Sequence, residues 1–368
     1  MKRIKIQPRN DYKQIIEDDG FHYNSDYWLE NAYYKFNSKE INIIEVASNQ
    51  CYNMFVSAVQ HVIDNNLWCK LNIPTFIVPK IIESWNNDNL SLYGRFDFAF
   101  INGMPKLLEF NADTPTSLFE AAIVQWNWKE SVFHTSDQFN SIHESLVESF
   151  KYIGETYDID HIDFTCILDN LEDSITTSYI LSTASEAGLN TSLFDISQVA
   201  IDNDKLFYHD HKHLDVLFKL YPYEWMFNEE FGKTLSTSKT TFIEPLWKAI
   251  MSNKYMLVIL AELYPDSPYI LKASEQPLSS GNYCKKPIYS REGSNVSLVK
   301  NGNVIEETDG EYGEEGFIYQ ELVEIESQDG KYPVIGSWII GGVACGMGIR
   351  ETSGRITDNM ANFVPHIF

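Results

Sequence analysis

RFDFAFINGMPKLLEFNADTPTS, residues 95–117, contains two short runs of alternating apolar residues joined by Asn102-Gly103. Asn-Gly between such runs is a strong signal for a two-residue hairpin turn, because both turn positions need positive φ. Alternate side chains of a strand share a face. Arg95 and Asp97 therefore lie on one face of the first strand, and Glu109 and Asn111 on one face of the second. Two carboxylates and an amide oxygen converging from paired strands make a hard-oxygen site suited to Mg²⁺. Thr114, Thr116 and Ser117 then lie in a turn leading into a helix, a place where backbone N–H groups and hydroxyls hold anions. The same residues read equally well as a salt-bridged polar sheet face followed by an ordinary helix cap.

Working outward, the spacing of Phe55, Ala58, Val59, Val62 and Ile63 predicts a helix near 45–68, and two more helical patterns follow the hairpin near 117–133 and 137–153. HIDFTCIL from 161, a helix near 173–187 ended by Gly188, LNTSLFDI and LDVLFKLY read as a small β-α-β unit with a further strand. PLWKAIMSNKYMLVILAELY reads as one helix with Pro245 in its first turn. After residue 280 the chain looks all-β: YCKKPIYS, SNVSLV, EGFIYQELVEI, YPVIGSWII and GVACGMGIR are strands between Gly- and Asp-bearing turns. The fold class expected is α+β with an antiparallel C-terminal sheet.

Two further segments carry anion-binding chemistry. In KKPIYSREGSNV, 285–296, Lys285 and Lys286 sit on or beside a strand, and the small Gly-bearing loop with Arg291 is shaped to fold over phosphate oxygens. A plain hairpin turn is the other reading. No GxxxxGK[ST] and no GxGxxG after a strand occurs. In GMGIRETSGRI, 346–356, Arg350 and Arg355 cluster near glycines, as anion ligands or as surface arginines. HDHKH (His209, His211, His213) has strand-alternate spacing open to a transition metal, although its Asp and Lys neighbours favour a solvated turn. No GxSxG and no HExxH is present, and Cys166 inside an apolar strand reads as an inert thiol.

Composition limits the function classes. With 44% hydrophobic and 14% aromatic residues the chain can bury a sizeable core. Its 52 acidic against 28 basic residues leave a net charge of −24, which repels duplex nucleic acid and attracts metals or polyamines. MKRIKIQPRN runs into DYKQIIEDDG and not into an apolar core, and five cysteines form no CxxC pair. These features set the expectation of a cytosolic protein with free thiols and no membrane span.

Taken together and in this order, RFDFAFINGMPKLLEFNADTPTSLFEAA, PLWKAIMSNK, YCKKPIYSREGSNV, FIYQEL and GIRETSGRITDNMANFVPH resemble the glutathionylspermidine synthase family, specifically its ATP-grasp synthetase part, from about residue 20 to the end. The resemblance implies a carboxylate–amine (C–N) ligase in which ATP phosphorylates a carboxylate to an acyl phosphate and an amine displaces phosphate. It implies that Asp97, Glu109 and Asn111 hold two Mg²⁺ ions, and that Arg95 contacts the carboxylate or acyl phosphate near Thr114 and Thr116. Lys254, Lys286 and Arg291 would bind ATP, with Gln320, Glu321 and Leu322 as the adenine hinge and Arg350 facing the transferring phosphoryl group. Glu172 and Asp173 match an acidic pair facing the amine, and read equally well as a helix cap with solvated charge.

The substrates implied are a small acid and a small amine, of the kind of a glutathione-like peptide and a polyamine. The segment after Asp358, NMANFVPHIF, holds no carboxylate to grip a polyamine. The N-terminal cysteine–histidine amidase of bifunctional members has no counterpart here, so product hydrolysis is not expected. Metal ligands that precede the lid lysines imply a rearranged ATP-grasp, with hairpin 92–111 joining the C-terminal sheet in space. Its parts would be 1–158, carrying the helical segment and metal hairpin, a pre-ATP-grasp-like subdomain at 159–235, and the lid and sheet at 236–368. Two competing readings remain: a nucleotide-binding protein without catalysis, and a glycoside hydrolase built on paired carboxylates.

Overall fold

The computed structural model describes residues 1–22, 27–201, 207–210, 212–358 and 360–368. The hairpin forms as its turn chemistry requires: Tyr93–Ile101 pairs antiparallel with Met104–Asn111, and Asn102 and Gly103 both take positive φ, 51° and 78°. The hairpin is not free-standing. Tyr93–Ile101 also pairs antiparallel with Tyr332–Ile340, giving a five-stranded sheet ordered Asn362–Val364, Val343–Thr352, Tyr332–Ile340, Tyr93–Ile101, Met104–Asn111.

Helices cover both faces of this sheet. Ser38–Asp64 starts at a capping box between Asn37 and Glu40, then buries Ile41, Ile44, Cys51, Phe55, Val59 and Val62 at three- and four-residue spacing. Phe55 packs on Phe96 and Phe110 with ring centroids 5.7 and 5.0 Å away. On the other face, Ile142, Leu146 and Phe150 of Ile142–Tyr157 share a buried cluster with Tyr93 and Trp338.

The small β-α-β unit is present as four parallel strands ordered Thr241–Ile243, Val216–Leu220, His161–Cys166, Asn190–Asp195, with helix Leu171–Glu186 as the crossover. A further five-stranded antiparallel sheet runs Ala273–Ser274, Phe317–Glu321, Tyr283–Pro287, Ser297–Lys300, Asn303–Glu307. Lys2–Lys5, Ala32–Lys35 and His366–Ile367 make a three-stranded sheet that ties the two chain ends together. None of the described helices is long and apolar enough to cross a membrane.

Several sequence expectations are corrected. The C-terminal strands form two sheets rather than one, because Tyr332–Ile340 pairs with the hairpin while Phe317–Glu321 pairs with Tyr283–Pro287. The single helix expected from Pro245 is two, Lys248–Met251 and Met256–Leu263. Between them, the Asn253 side chain accepts from Tyr255 N at 2.8 Å and donates to Leu71 O at 2.7 Å, and Lys254 N donates to Ile288 O at 3.1 Å. That break turns Lys254 out of the helical register. The helix near 117–133 begins as one π turn, Glu120–Val124, and continues as Gln125–Val132. In HDHKH, His209 stacks on Phe194 at 3.9 Å and His213 Nδ1 lies 2.8 Å from Asp215 Oδ1, while His211 lies outside the described residues.

Candidate active site

One cavity of about 250 Å³ opens between the hairpin, the carboxyl ends of the parallel strands, and the sheet that holds Tyr283–Pro287. The fifteen residues to which the family resemblance assigns a role all line it: Arg95, Asp97, Glu109, Asn111, Thr114, Thr116, Glu172, Asp173, Lys254, Lys286, Arg291, Gln320, Glu321, Leu322 and Arg350, whereas Ser117 and Lys285 do not. With Arg355 the lining includes six of the chain's 28 lysines and arginines, a concentration of positive charge that the chain's overall acidity opposes.

The hairpin register builds the floor. Asp97 stands directly opposite Glu109, and Arg95 opposite Asn111. Arg95 Nε and Nη2 donate to the Asp97 carboxylate at 2.7 and 3.1 Å, and Arg350 Nη2 adds a third bond at 2.9 Å. Arg95 fits there because the residue opposite Asp97 on the neighbouring strand is Gly336. A Cβ at Gly336 would stand 2.9 Å from Arg95 Cδ. Burial pushes the Glu109 carboxyl up, but Lys254, Lys286 and Arg95 outweigh it and hold Glu109 at about 2. Lys254 Nζ lies 3.3 Å from Glu109 Oε2 and also donates to Ser290 O at 2.6 Å.

Strand alternation separates the two sequence lysines. Lys285 turns away, its ammonium 3.8 Å from the centroid of the Phe317 ring, while Lys286 Nζ bonds Leu108 O and Gln320 Oε1, both at 2.9 Å. Gln320 is 2% exposed and its amide also donates to Leu107 O at 2.9 Å, so its side chain braces the hairpin against the sheet. Leu322 packs on the small apolar cluster of Cys284, Val296, Leu298 and Ile356. This gives the cavity one apolar wall beside its charged floor.

The opposite wall sits at the carboxyl ends of the parallel strands, where open α/β sheets place ligands. After His161–Cys166, the Asn170 side chain caps Leu171–Glu186 by accepting from Glu172 N and Asp173 N at 3.1 and 3.3 Å. The cap and the cavity are both real: the same two residues line the pocket. Burial, reinforced by Glu172, lifts Asp173 to about 7. Glu120, 3% exposed, is lifted by burial to about 8, with Glu172 adding to it.

Sequence reasoning missed Trp225, which lines the cavity, and Asp113, Glu224 and Glu120, which stand behind its lining. Asp113 lies inside the opening motif, and both its oxygens are occupied: Lys219 Nζ donates at 2.7 Å and Tyr223 N at 2.9 Å. Glu224 and Trp225 belong to YPYEW, which directly follows a parallel strand. An acid among aromatics at a strand's carboxyl end was the available signal.

The donor set fits Mg²⁺. Asp97, Glu109 and Asn111 present carboxylate and amide oxygens to one cavity from adjacent register positions, the hard-oxygen chemistry that ion prefers. Among the described residues no group of three or more His, Cys, Asp or Glu could hold a metal by itself. Asn111 and a ligand's own oxygens are therefore needed to complete a shell.

The raised carboxyls make stability fall with pH. A folded-state pKa above the unfolded value means the native chain holds a proton the unfolded chain has released, so each pH step costs stability. For Glu120 the window runs from the ordinary carboxylate value to about 8, and for Asp173 to about 7. Glu120→Gln is expected to flatten the decline between pH 5 and 9 and to raise stability at pH 9. Urea midpoints across that range check it, and an unchanged slope would contradict the assignment.

The family model described as glutathionylspermidine synthase preATP-grasp matches residues 3–368. A Haemophilus influenzae protein that bears the name acid–amine ligase is 36% identical over 97% of this chain and 94% of its own length. Trypanothione synthetase of Crithidia fasciculata is 29% identical over 84% of this chain, which spans 52% of that longer protein. A solved structure from Methylobacillus flagellatus KT, described as a gamma-glutamylcysteine synthetase, superposes with a TM-score of 0.52 at 12% identity, covering 85% of this chain and 87% of that one. That likeness is one of fold. With the family model spanning nearly every residue, the chain belongs to the glutathionylspermidine synthase family.

Proposed function

We propose that this chain is a Mg²⁺- and ATP-dependent ligase that joins a small carboxylic acid to a small amine. The observation that carries this reading is the single cavity in which a two-carboxylate-plus-amide hairpin faces Lys254, Lys286, Arg95 and Arg350. The reaction would phosphorylate the acid to an acyl phosphate and release ADP; the amine nitrogen would then displace phosphate, giving the amide, phosphate and a proton. Asp97, Glu109 and Asn111 would hold Mg²⁺, in two ions, and bound Mg²⁺ would neutralise phosphate charge and fix its geometry. The reading keeps a rearranged ATP-grasp with parts at 1–158, 159–235 and 236–368, the last of which lends Thr241–Ile243 to the parallel sheet of the middle part.

Phosphoryl transfer asks the protein for positioning and neutralised charge more than for covalent chemistry. Lys254 and Lys286 lie above Glu109, where they would take phosphate oxygens. Arg95 and Arg350 converge on Asp97 and would face the transferring group. Gln320, Glu321 and Leu322 would carry the adenine, with Leu322 as the apolar contact. Thr114 and Thr116 would bind the acid. Glu172 and Asp173 would face the amine, and a carboxyl at about 7 can accept the proton that the amine loses. A glycosidase reading built on the hairpin pair needs one free carboxyl acid and one free base, whereas Asp97 is held by two guanidiniums and Glu109 stays near 2.

The test is ADP release with Mg·ATP against a matrix of acids (glutathione, γ-glutamylcysteine, short glycine-ended peptides) and amines (spermidine, putrescine, amino acids), with mass detection. The expected result is ADP formation that requires one acid and one amine, with a product at their summed mass less water. Binding of Mg·ATP with no turnover across the matrix would favour the non-catalytic reading. No stabilisation of the fold by Mg·ATP would remove the nucleotide site itself.

A further inference from the structure

Arg291 stands apart from the other cations of the cavity. Lys254 and Lys286 lie against the hairpin, by Glu109 and Leu108 O. Arg291 reaches the opposite rim, where Nη1 donates to Thr114 Oγ1 at 2.6 Å and Nη2 to Glu224 Oε1 at 2.7 Å. Its guanidinium carbon is 5.7 Å from the centroid of the Trp225 ring, and Trp225 lines the cavity. Arg291 Nε is buried with no hydrogen-bond partner among the described residues. Glu224 belongs to the first turn of Tyr223–Asn228, which follows the parallel strand Val216–Leu220. This ion pair therefore ties the loop after Tyr283–Pro287 to the parallel-sheet unit across the mouth of the cavity.

The pair is a charge-assisted hydrogen bond between two half-buried side chains, stronger than a neutral one. Burial alone would raise the Glu224 carboxyl, and Arg291 reverses that and holds it low. Thr114 is part of the same turn whose Thr116 O accepts from Arg95 Nη1 at 2.7 Å. Two guanidiniums thus bracket one short turn, each steadied by its own carboxylate: Arg95 by Asp97, Arg291 by Glu224. Both guanidiniums line the cavity, each with its carboxylate partner, and Arg291 Nε–H is a buried donor without an acceptor among the described residues.

We propose that Glu224 is a positioning residue that seats Arg291 on the acid-substrate side of the cavity, beside Thr114, so that loop 288–295 closes over the acid rather than over the triphosphate. The proposal rests on the ligase reading of the cavity. It assigns nucleotide phosphates to Lys254 and Lys286 and removes Arg291 from them. Trp225 walls the seat, its ring 5.7 Å from the guanidinium carbon.

Two measurements on the full chain test it. Hydrogen–deuterium exchange of loop 288–295 without ligands is expected to quicken about tenfold in Glu224→Ala, and less in Glu224→Gln, which keeps an acceptor but loses the charge. Arg291→Ala releases the loop from its own side, leaves the Tyr223–Asn228 helix intact and should give the same quickening. In calorimetric titrations with Mg·ATP, Arg291→Ala is expected to stay within about twofold of wild type while Lys286→Ala loses about tenfold or more. Unchanged exchange in both Glu224→Ala and Arg291→Ala overturns the seating. A tenfold loss of Mg·ATP affinity in Arg291→Ala overturns the acid-side assignment. A wild-type chain that binds no Mg·ATP overturns the ligase reading, and the exchange comparison then decides the Glu224–Arg291 seating on its own.

Discussion

Asp97→Asn is expected to lower ATP-dependent amide formation by roughly 10²–10³-fold while the chain remains folded. Asp97 is 3% exposed, faces Glu109 across the hairpin, and receives hydrogen bonds from two guanidiniums. The substitution keeps the shape and one acceptor oxygen but strips the charge that would hold Mg²⁺ and balance Arg95 and Arg350. A pure packing role and a metal role differ in one readout. Loss of a metal ligand raises the Mg²⁺ concentration needed for half-maximal ADP release, whereas loss of packing lowers the melting temperature without moving that midpoint. Glu109→Gln should behave alike, because its carboxylate stays ionised down to about pH 2 under Lys254, Lys286 and Arg95. Unchanged turnover and unchanged Mg²⁺ demand in both variants would remove the metal assignment.

Lys219→Met is expected to be the most destabilising single change, by roughly 3–5 kcal/mol, because it strands a buried carboxylate. Lys219 and Asp113 are each 1% exposed, paired at 2.7 Å, with the Lys219 ammonium 3.5 Å from the centroid of the Tyr223 ring. Burial drives the Lys219 pKa down, Asp113 pulls it back, and neither charge has water to fall back on. The double variant Asp113→Leu/Lys219→Met should recover much of the loss, since replacing both members of a buried pair by apolar groups is often near neutral. Recovery will be incomplete, because Tyr223 N–H loses its acceptor, Asp113 Oδ2 at 2.9 Å. Urea unfolding of the three variants measures this. Equal stability of wild type and Lys219→Met would show the pair to be inert.

The hairpin was legible because every signal in it is local. Asn102-Gly103 specifies the turn, alternation specifies the faces, and a period of two leaves no freedom about which side chains meet. Helix Ser38–Asp64 was legible in the same way from its apolar stripe, and its true start, the Asn37–Glu40 capping box, was also written in sequence. The break at 252–255 was not. YMLVILAELY favours a continuous helix by propensity, and the interruption is held by Asn253 bonding Leu71 O and Lys254 N bonding Ile288 O, partners far away in the chain. Nor could alternation alone tell which charges Glu224 and Asp113 meet, since each pairs with a residue more than sixty positions distant, Arg291 and Lys219.

Sequence by itself determined the elements and the chemistry available to this protein: a hairpin presenting Asp97, Glu109 and Asn111 on one face, a parallel unit with Glu172 and Asp173 at a strand end, and lysines and arginines near small loops. These follow from short-range sterics and periodicity, which a contiguous stretch carries in full. Only the tertiary structure decided that Tyr332–Ile340, and not Phe317–Glu321, is the strand the hairpin joins, that Lys254 is turned out between two short helices, and that Arg291 pairs with Glu224 while Lys254 lies by Glu109. Those outcomes depend on which strand edges meet and which buried charges find partners. A strand edge or a charge accepts many partners locally, and the choice among them is made by the burial of the whole core.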